Sequence, residues 1–101
     1  MRTVEFLAPA QAEFAEAVDF YDSQQPGLGS LFAAEVERTI DRIVRYPEAW
    51  PPLSERTCRC LTHKFPYGII YRMRGDVVLI VAVMHLRREP QAWRRRLRRD
   101  A

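Results

Sequence analysis

The chain has 101 residues, 48% of them apolar, and sixteen Lys and Arg face thirteen Asp and Glu for a net charge of +3. That length fits one domain over residues 1–101 with a modest core, and the longest apolar run, Val77 to Met84, is far too short to cross a bilayer as a helix. The charge is unevenly spread: residues 1–50 hold four Arg against nine acids, whereas residues 51–101 hold eleven Arg and Lys64 against four acids. The second half therefore suits a polyanionic partner, or is a surface simply enriched in Arg.

The start, Met1-Arg2-Thr3-Val4-Glu5, alternates and carries charge instead of following a signal-peptide pattern. A soluble cytoplasmic chain with no membrane partner is expected. Arg2 to Leu7 alternates well enough for a short first strand, with Val4 and Phe6 on one side. Pro9 suits the first turn of a helix. That helix places Ala15, Val18 and Tyr21 around Phe14, turns the acids Glu13, Glu16, Asp19 and Asp22 outward, and stops at Pro26-Gly27. A second helix begins near Leu28–Ser30, because Leu28, Phe32, Val36, Ile40, Ile43 and Val44 recur every three to four residues. Pro47 ends it at Tyr46, and the short break between the two implies an antiparallel αα-hairpin.

Glu48 to Arg56, containing Trp50-Pro51-Pro52, is an ordered loop, and Thr57 to Lys64 a second strand. Cys58 and Cys60 fall on one side of that strand, roughly 6.6 Å apart along it. This spacing disfavours a disulfide, and two thiols make no metal set, so both are expected as small buried side chains. Phe65-Pro66 then turns the chain into a hairpin, Tyr67 to His85, whose Gly75-Asp76 loop has glycine where a type II′ turn requires it. With Arg74 and Val77 flanking the turn, Met73 meets Val78, Tyr71 meets Ile80, Ile69 meets Ala82 and Tyr67 meets Met84, a wholly apolar face. The other face pairs Arg72 with Leu79, Ile70 with Val81 and Gly68 with Val83, and ends at His85. It is apolar enough to want a partner and basic enough to hold an anion. Pro90 opens a short helix with Trp93 and Leu97 on one face, within a basic end over about residues 90–101. The sum is an α+β fold, β-α-α-β-β-β, with an antiparallel sheet, a helical hairpin on the Tyr71/Ile80 face, and a short C-terminal helix or tail. The Arg72 face is left for function.

This order of elements, with Phe65-Pro66-Tyr67 leading into Tyr71 and then His85-x-x-Arg88-x-Pro90-x-x-Trp93-x-x-Arg96, resembles the RelE/ParE toxin superfamily of bacterial type II toxin–antitoxin systems. The likeness runs from Val4 to Arg96 and is closer to the ParE branch, toxins associated with plasmid stabilisation. It implies a cognate antitoxin that masks the open sheet face, higher-order toxin–antitoxin assembly, and neither cofactor nor metal. Two modes of action follow from it. ParE-like members poison DNA gyrase and are not known as enzymes; RelE-like members cut messenger RNA on the ribosome without a metal.

Metal-free RNA cleavage needs a proton acceptor, a proton donor and cations for the phosphate. The resemblance implies that these come from basic residues on the second strand, an Arg opening the third, an Arg after the fourth and a tyrosine near the C-terminus. Here Arg59 holds one such position, Leu61 the next, Gly68 the third-strand position, and Arg87 or Arg88 the one after strand four. Trp93 stands near the tyrosine's place and has no ionisable proton. The set is broken, which favours the gyrase reading. His63 and His85, with Arg59 and Arg88, are the alternative catalytic set; otherwise they are a solvated turn histidine and a strand-end histidine bonded to backbone.

The candidate surface for antitoxin or target is Arg59, Leu61, Ile70, Arg72, Leu79, His85, Arg87, Arg88, Trp93, Arg94 and Arg96. Arg72 either meets a carboxylate or phosphate in bidentate fashion or lays its stem over the strand. The arginines from Arg94 to Arg99 either bind a polyanion or form a solvated basic end. A non-toxic module that keeps only the antitoxin-binding face is the third functional reading.

Overall fold

Runs of β-branched and aromatic residues become strands, and the two amphipathic stretches become helices, in a computed structural model that describes residues 2–87 and 92–100. In chain order they are β1 (Thr3–Phe6), α1 (Ala8–Gln24), α2 (Leu28–Arg45), β2 (Thr57–Leu61), β3 (Tyr67–Arg74), β4 (Val77–His85) and α3 (Ala92–Asp100). The expected α+β order holds. The sheet, however, is mixed and not purely antiparallel: its order is β1-β4-β3-β2, and β1 runs parallel to β4. The helical hairpin carries the chain to the far edge, from which β2, β3 and β4 meander back until β4 lies beside β1 and points the same way.

Gly29 lets the two long helices touch, since a Cβ there would lie 2.5 Å from the Val18 carbonyl oxygen. Asp22 accepts the N–H groups of Gly27 and Gly29 at 3.0 and 3.2 Å, satisfying donors that the start of α2 leaves open. The hairpin covers the Tyr71/Ile80 face. Phe32, Val36, Ile43, Ile69, Tyr71, Val78 and Ile80 are buried there together. Tyr21, Phe32, Phe65 and Tyr67 pack edge to face or tilted at 4.9–6.1 Å between ring centres.

Gly75 takes φ 59° and Arg74 pairs with Val77, as the turn chemistry predicts. The register then departs from expectation. A bulge opposite Ile70/Tyr71 inserts Val81, so Ile70 pairs with Ala82, Ile69 with Val83, Gly68 with Met84 and Tyr67 with His85. Val83 joins the helix-covered core in place of Ala82 and Met84. The second strand is also shorter than the predicted stretch to Lys64. Lys64 sits at φ 68°, and the Thr62 hydroxyl lies 2.9 and 3.1 Å from the carbonyls of Phe65 and Tyr67, which closes a turn.

Ala82 and Met84 instead join Ile70 and Val81 in a second cluster, closed by Trp93 of α3 with Leu7, Leu53 and Leu97 packed around it. The expected open face is therefore covered at its centre. What fixes α3 there is the edge of β4. Beyond Ile80, whose carbonyl accepts from Leu7 N–H, β1 has ended. The exposed backbone groups are met by side chains: Glu13 accepts the Val83 N–H at 3.1 Å, and Arg96 donates to the Val81 carbonyl at 3.0 Å. Glu13 and Arg96 also grip each other through two 2.8 Å bonds. Glu13 was expected on the outer side of its helix. It points inward because it lies on the same side as buried Ala10 and Ala17, three residues before and four after.

Replacing Glu13 by Ala leaves a half-buried guanidinium with only the Val81 carbonyl, and the Val83 N–H without its acceptor, and should lower stability by about 3 kcal/mol. Arg96→Ala should do similarly, and the double variant should lose much less than the sum. Urea midpoints of the four proteins at neutral pH check the coupling.

Candidate partner-binding surface

The predicted surface residues separate into three groups. Ile70, Leu79 and Trp93 are buried at 3%, 2% and 3% exposure, and Arg96 is committed to Glu13. Arg72 is half-buried beside Leu79 and opposite Thr57, its Nε sheltered and without an acceptor among the described residues. Ile70, Leu79, Trp93 and Arg96 are core or clamp, and Arg72 is partly sheltered in the sheet. Arg59, Leu61, Arg87 and Arg94 are exposed, and His85 is half-buried. Arg88 lies outside the described residues, as do the side chains of Arg98 and Arg99.

Two areas remain available around α3. On the β2 side, Arg59 pairs with Ile70 and Leu61 with Gly68. A Cβ at Gly68 would come within 2.9 Å of Arg59 Cδ, so glycine makes room for the Arg59 stem to lie across β3. Leu61 and Leu86 stay 48% and 46% exposed beside it. The result is an apolar strip with one long cation over it.

At the same end of the sheet, on the α1 side, the last residues of β4 border a cleft of about 490 Å³ lined by Glu16, Phe20, Tyr21, Tyr67, His85 and Arg87 among others. His85 stands edge-on to Tyr67 at 5.2 Å, and its Nδ1 accepts the Arg87 N–H at 3.1 Å. That bond leaves Nε2 as the protonated nitrogen of the neutral ring and turns a donor outward. Burial first, and then the neighbouring Tyr67 phenol, push the Tyr21 phenol up, so its hydroxyl keeps its proton. The cleft thus combines hydroxyl, imidazole and guanidinium donors with the ring of Phe20, which is 55% exposed.

His63 is elsewhere in function. Its backbone N–H donates to Glu35, a carboxylate only 5% exposed on α2. Arg38 Nε lies 3.4 Å and Arg42 3.7 Å from the same carboxylate. Burial alone would raise the pKa of Glu35, but the His63 N–H, Arg38 and Arg42 together outweigh it and hold the carboxyl below the usual range. Sequence reasoning missed Glu35, although it sits inside the apolar stripe between Phe32 and Val36. Cys58 and Cys60 are free thiols, half-buried and buried, and burial pushes the Cys60 thiol up. The Tyr71 phenol donates to the Pro47 carbonyl at 2.5 Å, tying the loop after α2 to the sheet. Among the described residues no cluster of His, Cys, Asp and Glu has the makings of a metal site, and no helix is long and apolar enough to cross a membrane.

The helical hairpin thus lies against one face of a four-stranded sheet and the short third helix against the other. A family model described as the ParE toxin of the type II toxin–antitoxin system parDE matches residues 4–90, and the chain belongs to that family. Among solved structures it is similar to a chain of the chromosomal ParDE toxin–antitoxin system from P. aeruginosa. The TM-score is 0.63 at 12% identity, covering 85% of this chain and 97% of that one. No curated protein sequence matches it. Membership makes it a toxin-family protein of a two-component system, with an antitoxin as the implied partner.

Because its pKa falls on folding, Glu35 stabilises the fold above its unfolded value of about 4.3, and this contribution is lost as pH drops from there toward the folded value. Glu35→Gln should therefore be about 1–3 kcal/mol less stable at pH 7. The gap should narrow on acidification below about pH 4. Urea midpoints of both proteins across that range test the sign.

Proposed function

We propose that the chain is a cytoplasmic toxin that acts on DNA gyrase, and that a cognate antitoxin holds it inactive. The observation that carries this reading is the position of Trp93. Where the resemblance to RNA-cleaving relatives calls for a tyrosine, this chain has an indole that is 3% exposed and packed on Ile70, Ala82 and Met84. It has no proton to transfer and no route to a substrate. Leu61 and Gly68 remove two further cations, and the space over Gly68 is taken by the Arg59 stem. The His63 backbone N–H is held by Glu35 on α2 and the residue is exposed on the β2–β3 turn, while the His85 imidazole accepts the Arg87 N–H at the end of β4.

The antitoxin is expected to bridge the Leu61/Leu86 strip and the Tyr67/His85 cleft, engaging Arg59 and Arg87. Exposed leucines and aromatics supply anchors, and the cations select an acidic segment.

Induced alone, the protein should arrest bacterial growth with an SOS response and gyrase-linked DNA breaks, while ribosome-bound messages stay intact. His85→Ala should leave arrest unchanged, whereas an RNA-cleaving toxin would lose about 10²-fold or more in cleavage rate. Cleaved messages would replace this reading with the ribonuclease one, and normal growth with folded protein present would leave only the antitoxin-binding module.

A further inference from the structure

The acidic half of the sequence contributes a cationic surface that charge counting along the chain does not reveal. Arg38, Arg42 and Arg45 recur at i, i+4 and i+7 on α2, about 10 Å from first to last along its axis. With Asp41 they line a groove of about 270 Å³ that has no apolar side chain in it. Arg2 reaches the same end of α2, its guanidinium donating to the Val44 carbonyl at 2.9 Å. The β2–β3 turn, carrying His63 and Lys64, is held to it through Glu35.

The buried acid does more than neutralise. Arg38 spends its Nε on Glu35 and keeps its two terminal nitrogens on a side chain that is 64% exposed. Arg42 is fixed by Glu35, by Thr39 Oγ1 at 3.1 Å and by the Leu61 carbonyl at 3.4 Å. Arg45 is exposed and has no acid partner among the described residues. The negative end of the helix dipole accounts for cations in the last turn. It does not account for Arg38, or for an internal carboxylate that orients its fork outward.

We infer that this end of α2 is a phosphate-binding surface that takes the backbone of double-stranded DNA. Protein partners are gripped by apolar and aromatic anchors, and this groove offers none. Guanidinium groups spaced along one side of a rigid helix match instead a rigid row of phosphates, where charge alone supplies affinity. The choice of DNA over RNA rests on the proposed action on a DNA enzyme. The test omits that enzyme, so a parent chain that poisons gyrase but does not bind the duplex would overturn this inference alone.

Fluorescence anisotropy of a short labelled DNA duplex, titrated with the full chain at low salt, gives the measurement. Arg38→Gln with Arg45→Gln should weaken binding about tenfold and flatten the log–log salt slope by about two, at roughly 0.9 per phosphate contact. Arg45→Gln alone changes an exposed side chain without a partner, so its folded state is not at issue, and it should take about half of that change in slope. Arg94→Gln with Arg95→Gln on α3 should retain duplex binding. The inference falls if the α2 variants bind as the parent does, if only the α3 pair abolishes binding, or if an RNA duplex or polyglutamate displaces the DNA preferentially.

Discussion

A strand that stops after four residues sets the terms for the rest of the molecule. β1 ends at Phe6 because the chain must turn into α1, yet β4 runs on to His85. The far half of β4 is left with an unpaired edge, and unpaired backbone groups inside a protein must find partners or be lost to stability. The bulge at Val81 shifts the parity of the strand so that the Val81 carbonyl and the Val83 N–H face that edge. Glu13 and Arg96 supply the acceptor and donor that a neighbouring strand would have supplied. One side chain comes from the helix on each face of the sheet, so α1 and α3 are locked to the same edge and to each other.

That clamp determines which surface a partner can reach. Holding α3 in place seats Trp93 over Ile70, Ala82 and Met84 and closes the centre of the face. Among the described residues, accessible area survives on flanks near the end of β4, as an apolar strip under Arg59 and the adjoining Tyr67/His85 cleft on the α1 side. The flanks share chemistry: each offers apolar or aromatic surface beside an exposed guanidinium. Interfaces with such anchors gain affinity from the buried apolar part and partner choice from the charges.

Much of the fold was legible because the signals were local. The Gly75-Asp76 turn, the stripe from Leu28 to Val44 and the Pro47 stop each depend on a few neighbouring residues, and each appears as expected. What escaped were features set by contacts distant in sequence. Nothing near Val81 announces a bulge, so strict alternation puts Ala82, Val83 and Met84 on the wrong faces. Two-residue periodicity is blind to one inserted residue, and the error passes to every position beyond it. The parallel pairing of β1 depends on where the chain returns after some seventy intervening residues, which no local pattern encodes. Trp93 and Leu97 were placed on one face of a helix, but an apolar helix face in a basic segment serves an external partner or its own sheet equally well. Only the Glu13–Arg96 bond decides between them.

Charge was the most misleading sequence quantity, and the reason is physical. Counting along the chain gives an acidic half and a basic half, but two of the acids, Glu13 and Glu35, face inward and are nearly enclosed. A carboxylate in that setting persists as a charge only if cations and N–H groups surround it. Glu13 accordingly draws Arg96 from the far end of the chain, and Glu35 gathers Arg38, Arg42 and the His63 N–H. Each buried acid therefore fixes arginines in place, one as an internal clamp and the others with donors still directed outward. Removing these two carboxylates from the outer surface leaves the α2 side of the molecule less negative than its composition suggests. What a passing polyanion meets there is the ordered guanidinium groups and not the acids that hold them.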